Sequence, residues 1–493
     1  MAEVDVLIIG AGISGIAAAC HVTRDLPDRS YHILERRQQI GGTWDLFRYP
    51  GVRSDSDMFT FGYRFRPWTD MNVLADGTSI RTYVNATADE YGIREHISFG
   101  RAVGRASWSS EAGLWTVDAR NEATDEPETW TARFVIACTG YYNYDQGYRP
   151  PFPGEDTFEG TLVHPQQWPE NLDYAGKRVI VIGSGATAVT LVPAMAADAA
   201  HVTMLQRSPS YILALPAVDK ISQAMRRVLP TGVVYKLARA RNIALQRALY
   251  AVSRRYPERM RKLLLAGARK HLGQDADLTH FSPRYDPWDQ RMCIIPDGDL
   301  FEVIRDGRAD VVTATVDTFT ATGVRLTDGT ELEADIIVTA TGLQVQLLGG
   351  AELIVDDEKV SVPEKLTYKA VLIEDVPNAA VVFGYSNASW TLKADIACEY
   401  VVRLLRHMDS RGYSSVVPRA PAVERTDRSV LSSLNAGYVL RGDPYLPRQG
   451  RRGPWYVRNN YWRDAAMLRR SPIAHPALEF SSDPVRVSVA AGS

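Results

Sequence analysis

The sequence predicts an α/β fold with two Rossmann-like domains in one chain and a helical insertion in the second. Three short apolar runs carry this reading: Val6-Leu7-Ile8-Ile9, Val179-Ile180-Val181-Ile182 and Ile336-Ile337-Val338-Thr339. Each is bounded by glycine or polar turn residues, as expected of strands buried on both faces of a parallel sheet. The first two each feed a glycine-rich turn and then an alanine-rich helical stretch, so a βαβ unit begins twice.

The remaining segments fit around these units. A chain of 493 residues exceeds what one ordinary core fills. Residues 108–137 alternate like antiparallel strands and end in Cys138-Thr139-Gly140, and Ala340-Thr341-Gly342 closes the third apolar run in the same way. Residues 212–280 show helical periodicity, as in Val234-Tyr235-Lys236-Leu237-Ala238-Arg239, with few strand signals. This insertion is also basic, Arg226, Arg227, Lys236, Arg247, Arg254 and Arg255 among others facing few acids. A solvated basic face is the ordinary explanation; peripheral contact with a membrane surface or an acidic partner is the alternative. From about residue 410 the chain is rich in Arg, Pro and aromatics and is expected to wrap the core.

Composition narrows the function classes. The 45% apolar and 23% charged fractions are those of a globular protein. A net charge of −2 offers no overall electrostatic reason to expect nucleic acid. The N-terminus has neither the basic flank nor the cleavage site of a secretory signal, and no apolar run is long enough for a membrane span. Cys20, Cys138, Cys293 and Cys398 never form a CxxC, which argues for a reducing cytoplasm, against a disulfide framework and against a metal site.

Gly10-Ala11-Gly12-Ile13-Ser14-Gly15 is a GxGxxG set between strand and helix. Gly10 permits the tight turn, Gly12 admits a pyrophosphate close to the backbone, and Gly15 lets helix and strand pack. Phosphate then meets unsatisfied amides at a helix N-terminus. Glu35 ends the next strand, where an acceptor for ribose hydroxyls is needed. The second set, Gly183-Ser184-Gly185-Ala186-Thr187-Ala188, has the tolerated alanine in third place. Its following strand ends in Gln206-Arg207-Ser208 without an acid, so Arg207 is expected to grip a 2′-phosphate and favour NADPH.

Two dinucleotide sites imply hydride transfer from nicotinamide to flavin, in a layout like that of glutathione reductase. FAD and NADPH are the expected cofactors, with FAD at the N-terminal, acid-bearing site as is usual in such flavoproteins. The expected FAD-binding domain covers residues 1–145 and 380–493, the NADPH-binding domain residues 146–211 and 281–379, and the helical insertion residues 212–280. A disulfide reductase of this layout would need a redox cysteine pair, and the sequence has none.

Between the glycine turns stands Phe158-Glu159-Gly160-Thr161-Leu162-Val163-His164-Pro165-Gln166-Gln167-Trp168-Pro169. It matches in full the F-x-G-x-x-x-H-x-x-x-W-P fingerprint of type I Baeyer–Villiger flavin monooxygenases, which the chain resembles along its length. Gly41-Gly42-Thr43-Trp44 and the stretch from Arg48 to Asp55 are similar to the family's flavin-contacting residues. Trp288-Asp289-Gln290-Arg291 is similar to the segment carrying the catalytic arginine, with Gln290 where many members have lysine. Tyr141-Tyr142-Asn143-Tyr144-Asp145 and Asn387-Ala388-Ser389-Trp390-Thr391-Leu392-Lys393-Ala394-Asp395 resemble the ethionamide-activating subgroup.

The resemblance implies insertion of one oxygen atom from O2 next to a ketone carbonyl, through a C4a-peroxyflavin, to give an ester or lactone. Thioethers and thioamides would be side substrates; an N- or S-oxygenase with little ketone activity is the alternative. It implies that Arg291 is catalytic with Asp55 holding it, and that, of the fingerprint residues Phe158, Gly160, His164 and Trp168, His164 and Trp168 serve domain motion and NADP handling. The region of Thr391 and Leu392 is expected to open a helix whose N-terminal amides face the flavin.

Overall fold

Strand β1 (Ala2–Ile9) lies at the centre of the first sheet in the computed structural model, which describes residues 2–482. Its side chains divide with period two. Val6 and Ile8 join the core beneath helices α1 (Ile13–Asp25) and α10 (Trp390–Arg411), while Leu7 and Ile9 face a second core built on Trp108 and Trp115. Both faces are therefore covered, which explains the unbroken apolar run.

Strands β2 (Tyr31–Glu35) and β3 (Ile97–Phe99) extend the parallel set on one side of β1, and β6 (Pro127–Ala137) flanks it on the other. On its edge away from β1, β6 has two partners along its length. Its first half continues an antiparallel meander with β4 (Arg101–Ser109) and β5 (Leu114–Asn121), and its last residues pair in parallel with Ala379–Val381. Alternation in residues 108–137 is thus the pattern of a half-exposed meander.

The second sheet is wholly parallel. Its order is β13 (Ala309–Thr313), β10 (His201–Gln206), β9 (Arg178–Ile182), the strand Ile336–Thr339 and β8 (Thr161–Val163). Helix α5 (Ala186–Met195) follows β9, and α9 (Asp299–Arg305) packs beside it. The two crossovers between the sheets, β7 (Tyr142–Gly147) and Leu343–Val345, pair with each other antiparallel.

Two expectations about boundaries need correction. The chain rejoins the first sheet at Glu352–Val355, which pairs with β4, well before residue 380. The intervening Thr367–Tyr368 and Leu372–Ile373 strands are two residues long, too short for a period to register in sequence. Residues 212–280 also open on a strand, β11 (Ile212–Leu215), paired with β12 (Cys293–Pro296). The insertion's helices are α6 (Lys220–Met225), α7 (Thr231–Arg255) and α8 (Pro257–Leu272). No helix among the described residues is long and apolar enough to cross a membrane.

A buried pair ties α1 to α10: His21 Nε2 lies 2.8 Å from Asp395 Oδ1, with Asp25 and Arg24 beside the ring. Burial lowers the His21 pKa, but hydrogen bonds to Asp25 and Asp395 outweigh it and the net shift is upward from the ordinary 6.5. Burial raises Asp395, and its bond to His21 reverses the shift to below the ordinary value. A raised folded-state pKa stabilises most below the unfolded value and loses its contribution as pH climbs through the folded one. Melting temperature is predicted to fall as pH rises from about 6.5 through the raised His21 pKa, because the folded state then holds a proton that the unfolded chain has lost. His21→Gln should lower stability by about 3 kcal/mol at acidic to neutral pH and flatten that slope. Parallel melting curves for the two proteins across pH 6–9 would refute the titration.

Candidate active site

The parallel strands of both sheets point their carboxyl ends at the same space, where ligands of open α/β sheets bind. Two adjoining cavities lie there. One, of about 660 Å³, is lined by Gly10, Gly12, Glu35 and Gly42. The other, of about 400 Å³, takes Gly12, Gly42, Thr43 and Trp44 from the first domain and Gly185, Ala186 and Thr187 from the second. Gly12, Gly42, Cys138, Tyr142 and Tyr144 border both. The two form one trench that ends where the glycine turns meet.

The glycine sets do the local work that their spacing predicts. Helices α1 and α5 begin after Gly12 and Gly185, and neither has a side-chain cap. Their first amides are left for a ligand. Gly10 has φ +100°, and a Cβ there would stand 2.8 Å from the Cys138 carbonyl oxygen. Gly183, at φ +147°, would collide with the Ala340 oxygen at 2.3 Å. A Cβ on Gly185 would meet nothing within 4 Å, so the second turn keeps open room for a phosphate. Gly15 presses on the Gly10 carbonyl and Ala188 is fully buried in α5, as helix packing requires.

Glu35 ends β2 on the wall of the larger cavity. Its Oε2 accepts from the Ala11 amide at 2.6 Å and its Oε1 from the Arg37 amide at 2.8 Å, leaving further lone pairs for a ribose. The donor set of the trench therefore fits a dinucleotide: free helix amides for pyrophosphate beside a carboxylate for ribose.

Arg291 and Asp55, 236 residues apart, meet in the wall of the smaller cavity, with Arg291 Nη2 donating to Asp55 Oδ1 at 2.8 Å. Asp55 raises the Arg291 pKa far above the ordinary arginine value, against burial, which lowers it. The Arg291 side chain keeps 34% of its surface, and the residue lines the cavity. Trp288 holds the preceding turn at φ +71°, and Asp289 is gripped by Arg254 of α7 at 2.5 Å. Such a turn fixes where Arg291 can point. Tyr141, Tyr142 and Tyr438 surround the pair, with burial raising all three phenols, so they stay protonated donors. Burial also pushes the Cys293 thiol up to about 12.

The fingerprint residues fall elsewhere. His164 Nε2 donates to the Gly342 carbonyl at 3.2 Å and Nδ1 accepts from the Gln166 amide at 3.2 Å, an arrangement of the neutral ring. Burial lowers its pKa, in keeping with that. The ring also packs on Gly147, so His164 touches both crossovers between the sheets. Phe158 packs on Phe319, Gly160 sits over the Asp335 carbonyl, and Trp168 packs against the core of the second sheet. None of the four lines either cavity.

Helix α10 begins at Trp390, in the region expected to open a helix, and it has no side-chain cap. Trp390 and Ala388 line the smaller cavity, but Thr391 donates to the Phe61 carbonyl and Leu392 packs on Ile243 and Tyr385. Trp390 stacks on Tyr141 at 5.1 Å and donates to Ser14 at 2.8 Å. Arg207 is exposed at the end of β10 without an ion pair among the described residues. Sequence reasoning missed its neighbour Arg441, on α11 (Gly437–Gly442), whose guanidinium lies 3.4 Å from the Tyr148 ring centre beside Gly342. Burial and the nearby Arg207 charge lower the Arg441 pKa. Tyr438 and Arg441 gave no signal beyond the general richness of the C-terminal wrap in arginine and aromatics.

Two glycine turns, each between a parallel strand and a helix and both opening on one cavity, define the layout of a two-dinucleotide oxidoreductase. A family model described as flavin-binding monooxygenase-like matches residues 3–406, and the chain belongs to that family: it is a flavin monooxygenase. MymA of Mycobacterium tuberculosis is 57% identical over 482 residues, covering 97% of each chain. The FAD-containing monooxygenase EthA of the same species is 49% identical over 489 residues, covering 99% of each. Among solved structures, a steroid monooxygenase bound to NADP shares the fold with a TM-score of 0.78 at 21% identity, over 97% of this chain and 99% of that one. Cyclohexanone monooxygenase does so with a TM-score of 0.73 at 21% identity, over 98% and 100%.

The glycine geometry separates folding from binding. Gly183→Ala is predicted to cost about 2 kcal/mol of stability through left-handed strain and the clash with Ala340. Gly185→Val should leave the melting temperature in place yet weaken NADP⁺ binding at least about tenfold, about 1.4 kcal/mol, by calorimetric titration. Equal losses of stability in both variants would contradict this division.

Proposed function

We propose that this flavin monooxygenase is of the Baeyer–Villiger type. It takes FAD along the first glycine turn and NADPH along the second, and inserts one atom of O2 beside a ketone carbonyl to give an ester or lactone. The observation that carries this reading is convergence: two uncapped helix N-termini and the Arg291–Asp55 pair face one cavity of about 400 Å³. The EthA relative is named as FAD-containing and the steroid monooxygenase as NADP-bound, which supports both cofactors. Bound FAD supplies hydride acceptance and oxygen activation, chemistry the side chains lack.

The chain's own residues then have separate tasks. Arg291, permanently charged, stabilises the negative charge that develops on the ketone oxygen during attack. Asp55 orients it through a charge-assisted bond. Trp44, Phe61 and Trp390 make the cavity wall apolar and keep water out. Glu35 binds the ribose of FAD, and the amides of α1 and α5 take the two pyrophosphates. Arg207 and Arg441, two guanidiniums near each other, receive the 2′-phosphate of NADPH between them. His164 sets the geometry of the crossovers and so the spacing of the two dinucleotides. Organosulfur compounds are secondary substrates, because soft sulfur accepts oxygen without an oxyanion to stabilise. Four separate buried cysteines support a cytoplasmic location.

Product analysis with a cyclic ketone beside a thioether tests the assignment, and sulfoxide without lactone would reject it. Arg291→Ala is predicted to lower lactone formation by about a hundredfold or more, and sulfoxidation by a smaller factor. Arg207→Ala and Arg441→Ala should each raise the KM for NADPH at least about tenfold while leaving that for NADH within about twofold. Equal effects on both nucleotides would remove the 2′-phosphate assignment.

A further inference from the structure

Among the described residues, fourteen large hydrophobic side chains are exposed, and nine of them lie between Ile221 and Leu263. Val228 is 80% exposed, Leu263 64% and Leu245 59%, far from the partial exposure of a core edge. On α7 the exposed Val233, Leu237, Leu245 and Val252, with Tyr256 just beyond, recur at spacings of four, seven and eight residues and so share one flank. A concentration of this kind marks an interaction surface, whereas scattered exposed leucines do not.

Charge identifies what the surface meets. Residues 220–272 contain fourteen lysines and arginines and one acid, Glu258, in a chain whose net charge is −2. Lys236, Arg247, Arg255, Arg259 and Lys262 form no ion pair among the described residues. Arg255 and Arg259 instead lie over the ring of the exposed Tyr256, at 5.4 and 5.3 Å from its centre. A merely solvated basic face would not set Val and Leu beside these cations. Two copies of the chain meeting here would oppose like charges. We propose that α6–α8 seat the protein on the surface of an anionic lipid bilayer, apolar side chains entering the headgroup boundary and arginines and lysines meeting lipid phosphates.

The opposite flank of α7 gives the surface a purpose. Arg239 donates to the Phe59 and Gly62 carbonyls, and Asn242 and Gln246 bond to Asp57, two residues from Asp55. The segment from Ser56 to Phe61, which lines the smaller cavity at both ends, therefore stands between that cavity and the lipid-facing helix. Apolar substrates dissolved in the membrane would reach the cavity without crossing bulk water. This docking does not depend on which substrate class the cavity accepts.

Sedimentation of the flavin-loaded protein with vesicles tests the proposal. Vesicles of phosphatidylcholine alone are compared with vesicles holding about 30% phosphatidylglycerol at low and high salt. At least about tenfold stronger partition to the anionic vesicles is expected, weakening as salt rises. A Leu237→Ser, Leu245→Ser and Val252→Ser variant should lose at least about tenfold of that partition. A Lys236→Glu, Arg247→Glu and Arg255→Glu variant should lose the preference for anionic lipid. Both should keep the parent's melting temperature and NADPH oxidation rate. Absence of wild-type binding to either vesicle, or binding unchanged in both variants, overturns the proposal. So does a vesicle-free wild-type assembly that the serine variant disperses, because the face would then join copies of the chain.

Discussion

Unpaired amides at the start of two helices shape the centre of this protein. Neither α1 nor α5 has a side chain to cap it, so each leaves donors that only a ligand or water can satisfy. Each helix follows a strand whose neighbours run parallel to it, which places those donors at the strands' carboxyl ends. The space between these ends must stay open, and the rest of the fold keeps it so. The paired crossovers β7 and Leu343–Val345 hold the sheets together beside the trench, with His164 bonded across them.

Within that space one charge is fixed by distant parts of the chain. Arg291 sits at the end of a turn held by Trp288 in a left-handed conformation and by the Asp289–Arg254 pair. Asp55 comes from the segment that follows the first glycine unit, and the tyrosine cluster arrives from β7 and the C-terminal wrap. A guanidinium half out of water strengthens any interaction it makes, which suits a site where negative charge appears during reaction. The α7 helix belongs to the same network, since one flank supports Asp57 and Asp289 while the other carries the exposed apolar stripe.

The fingerprint from Phe158 to Pro169 separates two meanings of a sequence signal. It identifies the family because its residues act together, yet Phe158, Gly160 and Trp168 pack the second sheet and only His164 reaches the crossovers. A motif can thus be specific without touching a reacting atom. Arg441 and Tyr438 are the converse, residues close to the site with no local pattern to reveal them. Their placement depends on contacts with segments hundreds of residues away, such as Arg441 on Tyr148.

The amino-acid sequence by itself determined the two βαβ starts, the glycine turns, Glu35 and the basic character of the insertion. Each is a matter of neighbouring residues: strand period, turn sterics at Gly10 and Gly183, and local charge. Tertiary structure alone decided that both glycine turns open on one cavity and that the chain regains the first sheet at Glu352, and it supplied the Arg291–Asp55 contact that only family resemblance had implied. It also decided which flank of α7 is buried. The physical reason is range: backbone conformation is set within a few residues, whereas a site is assembled by packing and pairing between segments whose separation no local pattern encodes.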